Sequence, residues 1–166
     1  MFGFNKTLIT CDDMSTEGLI KIRISLPEKD WHSYASETVW TEPIGNSQYK
    51  LRNSPFFAYD LSCGDTVYAE IEDENDLPLF KFVTNRSGHS TYRIVLEEKS
   101  TLEKFEEYIK PLSEIGCSTE GLHGRQFAVD VPETANIYEA FKLLQKGEDE
   151  GIWFFESSHI GHQVNQ

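Results

Sequence analysis

The chain has 166 residues and a mass of 19.1 kDa, with 39% hydrophobic and 13% aromatic residues, enough to bury a core and to set wholesale disorder aside. Against 15 Lys and Arg stand 28 Asp and Glu, a formal net charge of −13 that repels a phosphate backbone and favours a basic protein over a nucleic acid as partner. No run of about 18 apolar residues is present to span a membrane.

Residues 1–17, MFGFNKTLITCDDMSTE, read as an N-terminal extension. With Gly18 they lack the apolar stretch and small-residue cleavage site of a secretory signal, so a cytoplasmic setting is expected. Cys11, Cys63 and Cys117 are odd in number and far apart, and none forms a CxxC pair. That spacing suggests neither a disulfide framework nor a thiolate zinc site and fits a reducing compartment.

Residues 18–86 form the expected β-rich lobe. LIKIRISL (Leu19 to Leu26) alternates, with Ile20, Ile22 and Ile24 on one face. A polar, turn-rich stretch over 27–37 precedes TVWTEPIG, and Gly-Asn-Ser then turns the chain into a short strand holding Tyr49 and Leu51. SPFFAYDLSCGD is dense in aromatics and closes on a Gly64-Asp65 turn. TVYAEIED alternates with Val67, Ala69 and Ile71 inward, EDENDLP is an acidic loop, and LFKFVTN is a further strand. Five short strands with no helix between them predict a small curled sheet or barrel.

Residues 87–159 follow a different pattern. STYRIVLEE is a strand with Tyr92, Ile94 and Leu96 on one face. Ser100 and Glu103 have capping-box spacing, and Leu102, Phe105, Ile109, Leu112 and Ile115 form one helical stripe, kinked at Pro111 and ended by Gly116. CSTEGLHGRQFAVDVP predicts two strands around a His123-Gly124 turn, with Phe127, Val129 and Val131 facing one way. Asn136 and Glu139 repeat the capping spacing before Ile137, Ala140, Phe141 and Leu144, and Gly147 is placed to stop this helix. GEDEG then turns the chain into IWFFES, and residues 160–166 form a tail. The order strand, helix, strand, strand, helix, strand predicts a ferredoxin-like (βαββαβ) half, making the chain an α+β protein of two lobes.

Little in the chain resembles chemistry. His159 and His162 lack a third ligand at metal-binding spacing, and no metal or cofactor is expected. The letters HIGH at 159–162 match a nucleotide-handling motif only by chance, since that motif needs a dinucleotide-binding sheet and a long following chain. EDENDLP lacks the central glycine and the terminal glutamate of a calcium loop, and neither Gly-rich phosphate cradle is present. A cysteine nucleophile could be drawn from Cys63, His89 and Asp65. One polar stretch stands out at the joint of the two halves, NRSGHSTYRIVL. Its Arg86, His89, Ser90 and Arg93, with Asp65, either tie off backbone groups or line an inter-lobe pocket.

The ordered motifs Trp40–Pro43, Asn53–Ala58, Gly64-Asp65, Ser87–Thr91 and Ala128–Pro132 resemble the bacterial domain-of-unknown-function family 4265, from about Gly18 to His159. The resemblance implies a small soluble bacterial domain and assigns neither reaction nor ligand. Small size, acidity and the lack of a catalytic constellation lead to a non-enzymatic immunity or antitoxin-type protein that masks a basic toxin domain, such as a nuclease. Glu72, Asp73, Glu74 and Asp76, with Glu148, Asp149 and Glu150, are the expected contacts. The alternative is a small enzyme or ligand sensor using the segment Arg86 to Thr91, with Arg86 or Arg93 holding an anion.

Overall fold

The computed structural model describes residues 17–28 and 30–164. Nearly all of the expected N-terminal extension, Cys11 included, and the last two tail residues lie outside the described residues.

The first lobe is a closed barrel of five strands in the order β1-β2-β3-β4-β5. The strands are β1 (Ile20–Ser25), β2 (Ser36–Gly45), β3 (Gln48–Leu51), β4 (Thr66–Glu70) and β5 (Leu79–Asn85). Neighbours along the chain pair antiparallel, and a parallel contact at Arg23 and Leu79 closes the ring, leaving no edge to aggregate. Ile22, Ile24, Val39, Leu51, Val67 and Ala69 fill the interior, as the alternation requires. Two expected inward residues do not join them. Ile20 sits at the rim, and Ile71 is exposed because β4 ends one residue earlier, where the acidic loop begins. The β2–β3 hairpin turns through Asn46 and Ser47, both at positive φ, which gives the backbone the twist that flanking strands need.

Between β3 and β4 the chain leaves the barrel for the segment Arg52–Asp65, most of which is buried. Phe57, Ala58 and Leu61 pack into the barrel core, while the other side of the segment meets the second lobe. It is a wedge, and its aromatic density reflects burial on two fronts.

The second lobe runs β6 (Ser90–Leu96), α1 (Leu102–Glu114), β7 (Ser118–Leu122), β8 (Gln126–Val131), α2 (Ile137–Asp149) and β9 (Trp153–His159). The four strands form an antiparallel sheet in the order β7-β8-β6-β9. One face carries Tyr92, Ile94, Leu96, Val129, Val131 and Trp153, packed against Phe105 and Leu112 of α1 and Ile137, Ala140 and Leu144 of α2. The other face turns toward the wedge.

Both helices differ at their ends from expectation. The cap of α1 is Thr101, whose hydroxyl accepts from Lys104 N, so Ser100 and Glu103 form no capping box. The helix continues through Pro111, and Gly116 at positive φ ends it. There Cys117 N donates to Leu112 O and Gly116 N to Ser113 O, which satisfies two orphan carbonyls. Asn136 caps α2 as predicted, accepting from Tyr138 N and Glu139 N. Gly147 does not stop α2; it lies inside the helix, and Gly151 supplies the same C-terminal pattern through Ile152 N to Gly147 O and Gly151 N to Glu148 O. Glu148 and Asp149 therefore belong to the last helical turn, with Glu150 as its cap, and not to the loop expected at 147–151.

Candidate functional site

The polar joint is built around Asp65, which is fully buried. Its carboxylate accepts from Ser62 N at 3.0 Å, Ser87 N at 2.8 Å and Arg86 Nη1 at 3.0 Å, and Arg86 also donates to Asp60 O. Ser87 Oγ donates to Cys63 O, and His89 Nδ1 donates to Asp130 at 2.9 Å. Ser90 Oγ lies 2.7 Å from His162 Nδ1 and accepts from Gly161 N. Arg93 is almost wholly buried, donating to Phe56 O at 2.7 Å, pairing with Glu156 at 3.0 Å and lying over the Tyr59 ring. The structure thus gathers Asp65, Arg86, His89 and Ser90 at the joint and sets Arg93 against the wedge, at Phe56 and Tyr59. A cavity of about 300 Å³ opens beside them, lined by Lys50, Arg86, Ser87 and His89 among others.

The nucleophile drawn from Cys63, His89 and Asp65 does not form. Cys63 is disulfide-bonded, which also corrects the expectation that the cysteines form no disulfide. His89 turns to Asp130, and Asp65 is spent on the backbone and Arg86. Cys117 is free and buried, and burial pushes its thiol up to about 12, so it is no thiolate at neutral pH. The HIGH residues are structural. His159 Nδ1 bonds to Ser62 Oγ at 2.8 Å, and burial, with Arg86 nearby, lowers its pKa. A Cβ on Gly161 would lie 2.2 Å from the His89 carbonyl oxygen, so the chain after β9 is packed on the joint. Among the described residues no group of three His, Cys, Asp or Glu could hold a metal ion, and no helix is long and apolar enough to cross a membrane.

The acidic segments sit on different lobes. Glu72, Asp73, Glu74 and Asp76 are exposed in the β4–β5 loop, where Asp76 pairs with Arg23 at 2.7 Å and Glu72 with Lys81 at 2.5 Å. At the end of α2, Glu148 accepts from Phe155 N, Asp149 from Gln145, and Glu150 from the Tyr108 hydroxyl. Part of this charge is therefore used locally.

Two further carboxyl groups lie where the sequence reading did not look. A cavity of about 370 Å³ at the lobe boundary is walled by Tyr34, Trp40, Phe56 and Phe57 and holds Glu37 of β2 and Glu120 of β7. Glu37 receives three backbone N–H groups, from Phe56 at 3.0 Å, Phe57 at 3.1 Å and Ala58 at 2.5 Å. Burial raises its pKa, opposed by those donors and by Arg93. Glu120 accepts from Ser54 N at 3.1 Å, and burial, reinforced by Asp130 and opposed by Ser54 and Asn53, raises its pKa to about 8. A signal for both existed in the chain. Glu37 shares a strand face with the buried Val39 and Thr41, and Glu120 shares one with Leu122, which packs on the barrel core.

The family model described as "Domain of unknown function (DUF4265)" matches residues 37–155. Among solved structures, the chain is similar to a hypothetical protein from Neisseria gonorrhoeae with a TM-score of 0.71. That likeness covers 87% of this chain and 98% of the other at 19% identity, and establishes a shared fold alone. A search of curated proteins found no match.

Proposed function

The chain belongs to the DUF4265 family, a domain of unknown function, and from that premise we propose that it is an acidic, non-catalytic binding protein for a basic protein. It acts as an immunity or antitoxin-type partner that neutralises a basic toxin domain, such as a nuclease. The observation that carries this reading is the contrast between two sets of polar groups. Those at the joint are bonded to one another and to backbone around the buried Asp65, whereas Glu72, Asp73, Glu74 and Asp76 are all exposed on a chain of net charge −13, two of them paired at the surface with Lys81 and Arg23. Exposed carboxylates in such excess steer a cationic surface into contact and set which partner is accepted. The same charge repels nucleic acid, so the toxin and not its substrate is the expected ligand.

The second lobe is read as ferredoxin-like. What supports this reading is the antiparallel order β7-β8-β6-β9, with one helix between β6 and β7 and another between β8 and β9, the order expected of a split βαβ unit.

The test is capture of the product of the adjacent reading frame at low and at high salt, with the wild-type chain and with Glu72, Asp73, Glu74 and Asp76 all changed to Lys. Capture that weakens with salt and is lost on charge reversal supports the reading, because screening acts on exposed pairs. A neighbouring product that is not basic and is never captured overturns it. The cavity beside Arg86 and His89 favours one other reading, an anionic ligand at the joint. In that case His89→Ala abolishes ligand binding while the chain stays folded.

A further inference from the structure

The inter-lobe cavity that holds Glu37 and Glu120 is not part of the acidic loop, and its lining suits one kind of group. Its walls are the rings of Tyr34, Trp40, Phe56 and Phe57, and its polar groups include two carboxyls. Tyr34 is half exposed at 47% and packs against Phe57 with the rings tilted by 40° and centroids 4.7 Å apart, so an aromatic surface is open to an incoming group. The wall already accepts a cation of the chain's own, since Lys21 Nζ lies 4.9 Å from the centroid of the Trp40 ring. Glu37 is anchored by its three backbone donors and cannot swing away.

We propose that this cavity receives an arginine side chain of the protein partner, with the guanidinium over the Trp40 wall and facing the Glu37 and Glu120 carboxyl groups. The inference rests on the acidic-binding reading above and names where a basic partner is anchored. Arginine fits better than lysine because its guanidinium is planar, weakly hydrated and able to lie on an aromatic face while donating to a carboxylate. An anion is disfavoured by the two carboxyls. An aromatic-walled pocket that an incoming side chain fills and desolvates is also where interface residues contribute most, whereas rim charges chiefly speed encounter.

Occupation should be coupled to a proton. The charged and titratable groups lining the cavity with Glu120 are Lys21 of β1, Tyr34, Glu37 of β2 and His123 of the β7–β8 turn, and Asp130 of β8 acts on it from nearby. With its pKa near 8, Glu120 is mostly neutral at pH 7, and a guanidinium beside it favours the ionised form. Binding therefore releases a proton at neutral pH, and affinity rises as pH approaches 8 and then levels.

The probe is Nα-acetyl-arginine amide, titrated calorimetrically into the full chain in two buffers of different ionisation enthalpy, with Nα-acetyl-lysine amide as comparison. The expected result is saturable binding of the arginine amide, weaker binding of the lysine amide, and proton release that disappears in Glu120→Gln. That variant should bind at least about tenfold more weakly, the scale of one hydrogen bond to a charged group. Lys21→Ala, which clears the Trp40 ring, should bind more tightly and guards against a folding defect in the first variant. No binding to the wild-type chain, or equal affinity and proton release in Glu120→Gln, overturns the inference. Salt-sensitive partner capture that survives in Glu120→Gln sinks the arginine site and leaves the acidic-binding reading standing. Arginine amide binding with no partner capture does the reverse.

Discussion

Gly147 sits in the third turn of a helix, where glycine costs about 1 kcal/mol relative to alanine. It is there because a Cβ would lie 2.2 Å from the Trp153 indole, which crosses the helix backbone and donates to Leu144 O at 2.9 Å. Trp153 is fully buried, so the ring cannot step aside. Gly147→Ala should therefore destabilise the protein by about 1–3 kcal/mol, since overpacking outweighs the gain in helix propensity. A shift of the urea midpoint at constant m-value measures it, and a stabilised variant would contradict the packing described. Glu120 gives a second residue-level expectation. Its pKa rises from the ordinary 4.5 to about 8 on folding, so the native state holds the extra proton between those values. Stability contributed by this group is present below pH 4.5 and lost as pH rises to about 8. Glu120→Gln should thus gain stability relative to wild type as pH rises from 5 to 8, followed by thermal melts. A pH-independent difference would show that the carboxyl is not buried. Gly147 did not declare its role in the chain, because glycine marks helix ends as often as close approach, and the one signal for Glu120, its place on the strand face of Leu122, is inconspicuous among 28 acids.

At the scale of elements, periodicity carried most of the information. All five barrel strands and all six elements of the second lobe appear in the expected order, because each has an apolar face that must be covered. Ends were less legible. Ser100 and Thr101 are adjacent and both can cap, and only the path of the chain out of β6 selects Thr101. Thr101→Ala should cost about 1 kcal/mol of stability while Ser100→Ala stays within about 0.5 kcal/mol. Equilibrium unfolding of the two variants side by side checks this, and the opposite ranking would return the cap to Ser100.

At the scale of the molecule, the wedge Arg52–Asp65 joins two cores that share little apolar surface. Ser62 bonds to Thr91 at 2.7 Å, Asp60 N to Ser158 O at 3.2 Å and Arg93 to Phe56 O at 2.7 Å, so polar bonds link the barrel side to the second sheet. Asp65 anchors the end of the wedge. Asp65→Ala leaves the buried Ser62 N–H and the half-buried Ser87 N–H without their acceptor and removes one of the two acceptors of Arg86, a loss of about 3 kcal/mol. The same variant should split one unfolding transition into two, visible by comparing tryptophan fluorescence with far-ultraviolet dichroism. Coincident, unshifted transitions would show that the lobes are coupled by something other than the wedge. By itself the sequence determined the α+β class, the order of the elements, the turn at Asn46-Ser47, the Asn136 cap and the acidity, because these rest on local periodicity and backbone preference. Only the tertiary structure decided that the aromatic segment lies between lobes, that the joint's polar groups satisfy one another, and that Glu37 and Glu120 face one cavity. Burial and hydrogen-bond partners come from residues distant along the chain, and no local pattern encodes which of them meet.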